Sequence, residues 1–332
     1  PVLLMAGKAP YTASNELVGS RDTYVHFVQE PTDQGSLVRP YMKWEWTLPS
    51  GVVVKEALRR AYSIMQSEPR GPVYLMMQRE TLTQHWSGDD VRSYSAEHIS
   101  STSGGQADPK LIGELADRLL KAEHPVLLTA YAGRNPRAVE AISELSELAG
   151  IAVFESNMTT NIPTTMPCFL GHSADKQVPM ADLGILVDID VPWFPSDVQP
   201  KAHSFWAHID IDILKQASPM WTFPGNMRVQ GDSGHILTQL LDELKKKATP
   251  AFKQKAAARV IELKKQHDAL SERAAKLAAE KGTKNEINPH YLMAELNKLL
   301  DPKDVVFNEA IRNTGAVSMQ IKRPLPNTML SS

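Results

Sequence analysis

The fold class follows from residues 124–156, whose sequence is HPVLLTAYAGRNPRAVEAISELSELAGIAVFES. The apolar run Pro125–Thr129 is typical of a strand buried on both faces. After a short turn, Pro136–Ala149 has the proline start and the apolar spacing of a helix, and Gly150 is suited to end it. A second apolar run, Ile151–Glu155, follows at once. Strand, helix and strand in this order predict a parallel βαβ unit.

The same alternation continues on both sides of this unit. Asp108 and Pro109 are suited to begin a helix before it. After it, apolar patterns predict two more strands and a helix at Leu183–Val187, Ala207–Ile211 and Gly234–Leu244. The sequence therefore predicts an α/β fold whose central domain, residues 109–246, is a doubly wound, Rossmann-like parallel sheet.

The regions on either side are predicted to be incomplete α/β domains, residues 1–95 and 290–332. Four elements are predicted in the first: strands Val2–Ala6 and Val73–Met77, a helix Ser50–Met65, and an irregular aromatic stretch Tyr24–Trp46. Two are predicted in the second: a helix Tyr291–Leu300 and a strand Val305–Asn308.

Two segments are predicted to connect these domains. Residues 96–108 are rich in Ser and Gly, which is typical of a linker. Residues 247–289 are rich in Ala, Lys, Glu and Gln with helical apolar spacing, which predicts an exposed helical linker. The chain starts inside a strand-like run at Pro1 and stops soon after another. Because a buried strand needs partners on both sides, we expect a fragment of a longer protein.

Composition excludes several classes of protein. The 332 residues are 42% hydrophobic and 22% charged, with a formal net charge of -2. These values are unlike those of a disordered chain or a strongly basic nucleic-acid binder. The single cysteine, Cys168, excludes an intrachain disulfide, and no apolar run approaches the roughly 18 residues that span a bilayer. We expect a soluble cytoplasmic protein with neither nucleic acid nor membrane as partner.

Two kinds of candidate site stand in the central region. Gly133 and Arg134 lie in a turn between a strand and a helix, where backbone N–H groups can bind an anion, although an ordinary turn uses the same residues. Asp188 and Asp190, and likewise Asp210 and Asp212, follow apolar strands. Each pair could converge on a ligand or a hard cation, or could cap the turn that follows.

Three stretches, in this order, resemble thiamine-diphosphate-dependent enzymes of the acetolactate-synthase-like family. PVLLMAG, HFVQEPTDQGSLVRPYMKW and RGPVYLMM are similar to the second half of the family's pyrimidine-binding domain. DPKLIGELADRLLKAEHPVLLTAYAGR, ADLGILVDIDVPW and HIDIDILK are similar to its central domain, and DVVFNEAIRNTGAV to the start of its diphosphate-binding domain.

The resemblance implies a lyase or synthase that cleaves or forms a carbon–carbon bond at a 2-keto acid or related carbonyl. It implies thiamine diphosphate and Mg²⁺ as cofactors, a small-molecule substrate, and a homodimer or homotetramer. By family position, Gln29, Glu30 and Lys43 would lie near the catalytic cleft. Cofactor-binding residues would follow the last strand and line the central crevice: Asn308, Glu309, Ile311, Arg312, Gly133, Arg134, Asp188 and Asp210.

The chain also departs from the family. The activating glutamate would precede Pro1, and the Gly-Asp-Gly metal motif would follow Ser332, so no metal ligand is expected within it and the chain alone is expected to be inactive. The flavin-binding loops of some relatives are replaced here by Tyr131–Arg134 and Gly171–Ser173, which weighs against FAD. Two alternatives stay open: a catalytically inactive relative that serves as an oligomeric scaffold, and a nucleotide-binding α/β protein.

Overall fold

The computed structural model describes residues 1–91, 93–95, 102 and 104–331. The chain divides into two compact units, Pro1–Gly104 and Gly105–Ser332, which we call the first and the second unit. Most of the predicted linker, residues 96–101 and 103, lies outside the described residues. The finer division of the chain into domains stays a prediction.

The first unit is built on a three-stranded parallel sheet with the order β1-β3-β2. Its elements are β1 (Leu3–Lys8), α1 (Val25–Val28), β2 (Trp44–Leu48), α2 (Val54–Gln66), β3 (Val73–Gln78) and α3 (Arg79–Leu82). Leu48, Ala57 and Leu75 form its small buried core. The predicted irregular stretch therefore ends in a strand, because Trp44–Leu48 pairs with β3 in parallel register.

The second unit holds the remaining elements. They are α4 (Pro109–Lys121), β4 (Pro125–Thr129), α5 (Pro136–Ala149), β5 (Ala152–Glu155), β6 (Leu183–Val187), β7 (Phe205–Asp210), β8 (Met227–Gln230), α6 (Ser233–Lys247), α7 (Pro250–Ala278), α8 (Pro289–Asn297), β9 (Val306–Asn308), α9 (Thr314–Gln320) and β10 (Met329–Ser331).

The five-stranded sheet of the second unit has the order β5-β4-β6-β7-β8, and all its strands are parallel. The predicted α/β fold with a parallel central sheet is thereby confirmed. From β4 the chain turns first to β5 on one side and then to β6 on the other. The carboxyl ends of β4 and β6 therefore mark the topological switch point, where open α/β sheets bind ligands.

The two faces of this sheet are covered in different ways. Helices α4, α5 and α6 bury their apolar stripes against one face. The other face packs against the irregular segments that hold Leu170, Val178 and Trp193. Local signals fix the helix ends: Asn135 caps α5, Gly150 ends it with a left-handed φ of 61°, and Asp232 caps α6.

The C-terminal part of the second unit holds more elements than were predicted. The helix α6 ends at Lys247 and α7 begins at Pro250, within the predicted helical linker, where the Thr249 side chain accepts a hydrogen bond from the N–H of Phe252. A further helix, α9, and the strand β10, which pairs with β9, follow the helix that was expected to be the last.

Candidate functional site

A cluster of five polar residues lies at the switch point, where β4, β6 and β7 end. We call it the switch-point cluster; its members are Tyr131, Asp188, Asp190, Asp210 and Lys215. The parallel register brings Thr129, Val187 and Ile209 side by side, so the residues that follow these strands meet at one edge. The sequence predicted Asp188 and Asp210 here.

Lys215 is the centre of this cluster. Its side chain is 4% exposed, and its Nζ donates to Asp210 Oδ2 at 2.8 Å and to the Tyr131 hydroxyl at 2.5 Å. The same Nζ lies 2.7 Å from Asp190 Oδ1, on a side chain that is 65% exposed. Asp210 is fully buried, and its Oδ2 also accepts the Tyr131 hydroxyl at 2.8 Å. One ammonium therefore forms ion pairs with two carboxylates.

Within the switch-point cluster, each charged side chain stabilises the charged form of its partner. Burial opposes ionisation of Asp210, but the His208 ring, whose Nε2 lies 3.6 Å from Asp210 Oδ2, and the charge of Lys215 outweigh it and hold the pKa of Asp210 below its usual range. Burial also opposes the charged form of Lys215, yet the attraction of Asp210 and Asp190 raises its pKa. Burial and the charge of Asp210 raise the pKa of Tyr131, which stays protonated.

Asp188 is the member that lacks a full set of partners. Its Oδ2 accepts the Ser233 hydroxyl at 2.6 Å, whereas its buried Oδ1 has no hydrogen-bond partner among the described residues. Arg134 approaches this oxygen only to 3.9 Å. Burial raises the pKa of Asp188 to about 6, in spite of the charge of Arg134. The carboxyl is therefore poised to change its charge near neutral pH.

The sequence left two interpretations open for the turn at Gly133, an anion-binding turn or an ordinary one. A Cβ at Gly133 would lie 1.9 Å from the carbonyl oxygen of Asn161, so the Asn161 peptide already fills the space beside the turn. The N–H groups of Ala132, Arg134 and Asn135 donate within the protein. This closed turn is an observation against phosphate binding by Gly133, and the cofactor roles of Gly133, Arg134, Asp188 and Asp210 stay predictions.

A cleft of about 580 Å³ lies at the carboxyl edge of the first unit's sheet. It is lined by Gln29 and Glu30 together with Lys8, Gln34 and Arg79. Glu30 pairs with Arg21, and Gln34 Nε2 donates to the Tyr74 hydroxyl at 2.8 Å. Gln29 is exposed, and its side-chain amide has no hydrogen-bond partner in the described ranges. The structure therefore brings two of the three predicted catalytic residues together.

Lys43 lies at the other edge of the same sheet. It immediately precedes Trp44, the first residue of β2. Trp44 is in register with Val73 at the start of β3, and Val73 is in register with Leu3 at the start of β1, so Lys43 lies at the edge where all three strands begin. Its Nζ donates to the Ser67 carbonyl oxygen at 2.5 Å. Because the strands are parallel, this position is a whole strand length away from the carboxyl-edge cleft, and the structure does not place Lys43 beside Gln29 and Glu30.

The predicted diphosphate-binding residues begin at Asn308, the last residue of β9, and the other three lie in the turn that follows it. Asn308 is buried, and its Oδ1 accepts the N–H of Ala310 at 3.0 Å. Its Nδ2 has no hydrogen-bond partner among the residues that the structure describes. Glu309, Ile311 and Arg312 are exposed, Ile311 to 93%. The turn thus presents a carboxylate and a guanidinium to solvent beside an unsatisfied amide.

Sequence analysis missed the residues that complete the switch-point cluster. Tyr131 and Lys215 are 84 positions apart, so no local spacing could join them. Only the sheet order brings the loop after β7 beside the turn after β4. No group of three or more His, Cys, Asp or Glu side chains within the described ranges could hold a metal ion. Nor is any helix there both long and apolar enough to cross a membrane.

Comparison with known proteins identifies the fold. No protein-family model matches the chain. A candidate thiamin diphosphate-dependent enzyme from Mycobacterium smegmatis matches with a TM-score of 0.67 and 16% identity, over 99% of this chain and 59% of that one. Benzoylformate decarboxylase from Polynucleobacter necessarius matches with a TM-score of 0.67 and 16% identity, over 94% of this chain and 56% of that one. The chain therefore spans less than three fifths of either protein.

At 16% identity these matches concern the fold. The chain has the fold of part of the thiamine-diphosphate-dependent enzymes, and the resemblance drawn from the sequence is confirmed at that level.

Proposed function

We propose that this chain is part of a thiamine-diphosphate-dependent enzyme that decarboxylates a 2-keto acid or joins it to a second carbonyl. The observation that carries the proposal is the fold. It is shared over almost the whole chain with one protein described as a candidate thiamin diphosphate-dependent enzyme and with one described as a benzoylformate decarboxylase. A shared fold can host unrelated chemistries, so the site residues must support the assignment as well.

The turn after β9 is suited to hold the diphosphate. A buried donor without a partner costs about 1–3 kcal/mol, and a ligand oxygen that reached Asn308 Nδ2 would remove that penalty. Arg312 is exposed in the same turn and could bind a phosphate oxygen in bidentate fashion. In this proposal Asn308, Glu309, Ile311 and Arg312 form the cofactor-binding turn, with Mg²⁺ bound outside this chain.

The carboxyl-edge cleft of the first unit is suited to hold the reacting carbonyl compound. Gln29 can donate through its NH₂ group and accept through its oxygen, because neither atom is used within the described residues. Lys8 lines the same cleft without a carboxylate within 4.0 Å in the part that the structure describes. An unpaired ammonium would attract the carboxylate of a 2-keto acid.

The cofactor, when bound, would supply the electron sink for cleavage of the bond next to the carbonyl. The residues of this chain would then bind and orient. Gln29 would fix the carbonyl compound by hydrogen bonds, and Lys8 would hold its carboxylate. Glu30, held by Arg21, would keep a fixed negative charge beside Gln29.

The test is a calorimetric titration of the full-length protein with thiamine diphosphate and Mg²⁺, followed by an assay of CO₂ release from a panel of 2-keto acids. We expect binding of the cofactor and turnover of at least one substrate. Gln29→Ala should lower kcat/KM by up to about tenfold, as expected for loss of a hydrogen bond worth about 0.5–1.5 kcal/mol to a neutral carbonyl group. Gln254→Ala, at an exposed position on α7, is the matched control and should leave it unchanged.

The alternatives have distinct outcomes in the same experiments. Binding of the cofactor without turnover of any 2-keto acid would favour the inactive scaffold. Binding of a nucleotide in place of thiamine diphosphate would favour the nucleotide-binding protein. Either result would contradict the proposal.

A further inference from the structure

A separate cavity of about 610 Å³ lies in the second unit between α7, α9 and the segment after β5. We call it the α7–α9 cavity. Its wall is largely apolar. It includes the aromatic rings of Phe154 and Phe169 and the aliphatic side chains of Leu170, Leu270 and Met319. Cavities of this size and composition are typical of sites for small organic ligands. None of the residues assigned above to the cofactor or the substrate lines it.

The charged groups around the cavity are mostly cations without partners. Lys176, Arg273 and Lys322 line it, and none of them lies within 4.0 Å of a carboxylate among the described residues. The one carboxylate in the described lining, Asp175, accepts the Ser173 hydroxyl at 2.7 Å. Lys176 and Arg273 are exposed, whereas Lys322 is half-buried. An unpaired ammonium at an apolar wall favours a ligand that brings a negative charge.

The titratable groups behind the wall do not oppose such a ligand. His172 lines the cavity, and its Nδ1 lies 3.5 Å from Oε2 of the buried Glu155. Burial raises the pKa of Glu155 to about 8, so at neutral pH its carboxyl is mostly uncharged. Burial lowers the pKa of His172 to about 4, so its ring is neutral as well. The charged side chains that line the cavity are therefore three cations and one carboxylate in the described lining.

We propose that the α7–α9 cavity binds an aryl-substituted carboxylate, with Lys322 as the anchor of the carboxylate and Phe154 and Phe169 as part of the aromatic wall. The anion takes the place of the missing carboxylate partner of Lys322. The aryl group buries the apolar lining, and the rings can stack against it or meet it edge to face. This site does not depend on the proposed enzymatic function.

The test uses 1-naphthaleneacetate as probe and follows its intrinsic fluorescence during titration of the full-length protein. We expect saturable binding of the carboxylate, and binding at least about tenfold weaker for the neutral 1-naphthaleneacetamide, which lacks the charge. Inorganic phosphate at the same concentrations should not displace the probe, because it brings no apolar group.

Two pairs of variants locate the site. Lys322→Met should weaken binding of the carboxylate about tenfold or more and leave that of the amide nearly unchanged, whereas Lys303→Met, at an exposed position, should change neither. Ser271→Trp places a large ring at the exposed rim of the cavity and should abolish binding of both probes, whereas Ser271→Ala should preserve it. Thermal melts check that each variant is folded.

The proposal is overturned if the wild-type protein does not bind the carboxylate, or if it binds carboxylate and amide equally. If Lys322→Met fails to fold, the Ser271 pair decides: equal binding by Ser271→Trp and Ser271→Ala would place the probe elsewhere and contradict the proposal.

Discussion

Replacement of Lys215 by methionine removes the cationic member of the switch-point cluster. Asp210 is fully buried and would lose its partner at 2.8 Å, keeping only the Tyr131 hydroxyl and backbone N–H groups. Breaking a buried ion pair on one side costs about 3–5 kcal/mol, because an uncompensated charge remains. The contact with Asp190 adds at most about 1 kcal/mol, since that side chain is largely exposed.

We therefore expect Lys215→Met to lower the free energy of unfolding of the second unit by about 3–5 kcal/mol at neutral pH. This is a large share of the roughly 5–15 kcal/mol that is typical of a domain. The effect should shrink on acidification. In the wild type Asp210 has a lowered pKa, and its stabilising contribution is lost as the pH falls towards that pKa. In the variant, burial without a cation raises the pKa, so protonation relieves the penalty.

The assay is urea unfolding combined with hydrogen exchange of the amides of β6 and β7, which reports on the second unit directly. Lys264→Met is the matched control, because Lys264 pairs with Asp268 on the exposed surface of α7. It should change the free energy of unfolding by no more than about 0.5 kcal/mol. The reasoning is refuted if Lys215→Met destabilises no more than the control, or if its effect grows as the pH is lowered.

Three further predictions concern the second unit. The first is that Glu155→Gln gains stability relative to the wild type as the pH rises from about 5 to about 8, measured by urea unfolding at a series of pH values. Burial raises the pKa of Glu155 to about 8 in the folded protein, so in this pH range the carboxyl ionises in the unfolded chain first and the wild type loses stability, whereas glutamine does not ionise. A difference in stability that does not change with pH would contradict this. The second is that Gly133→Ala lowers the free energy of unfolding by about 1–3 kcal/mol, because the new Cβ would overlap the Asn161 carbonyl group. The control is Gly315→Ala, whose Cβ would have no atom within 4 Å and which should be neutral or slightly stabilising in thermal melts. Equal melting temperatures for the two variants would disprove the close approach at Gly133. The third is that Arg323→Met unfolds at a lower urea concentration than the wild type. The buried guanidinium donates to the carbonyl oxygens of Asp301, Pro302 and Asp304, which would lose their donor in the variant. An unchanged urea midpoint would contradict this and show that water replaces the guanidinium as donor.

Continuous apolar runs explain why much of the central sheet could be predicted from the sequence. Pro125–Thr129 and Leu183–Val187 are strands with the expected bounds, because strands buried on both faces need apolar side chains at every position. Met227–Gln230 was not predicted, since a four-residue strand at the end of the sheet, with two exposed polar side chains, carries no such signal. Trp44–Leu48 was missed for a related reason: it is a partly exposed strand in which aromatic and charged residues alternate.

The candidate sites were predictable only in part, because they depend on contacts between distant segments. The sequence located Asp188 and Asp210 at strand ends because each follows an apolar run that predicts a strand. Lys215 lies in a loop whose sequence has no such pattern, so it could not be predicted. The turn at Gly133 has the residues of an anion-binding turn, and nothing local shows that Asn161 fills it. Lys43 is near Gln29 in sequence, yet the strand direction separates them.

The most direct measurement of the central claim is the affinity of the full-length protein for thiamine diphosphate with Mg²⁺, by calorimetry, for the wild type and for Asn308→Asp. The variant keeps the acceptor that caps Ala310 but replaces the unsatisfied donor with a carboxylate that repels a diphosphate. We expect stoichiometric binding by the wild type, binding at least about tenfold weaker by Asn308→Asp, and wild-type affinity for the exposed control Asn285→Asp. Absence of binding by the wild type, or equal affinity of all three proteins, would contradict the assignment of this turn to the cofactor.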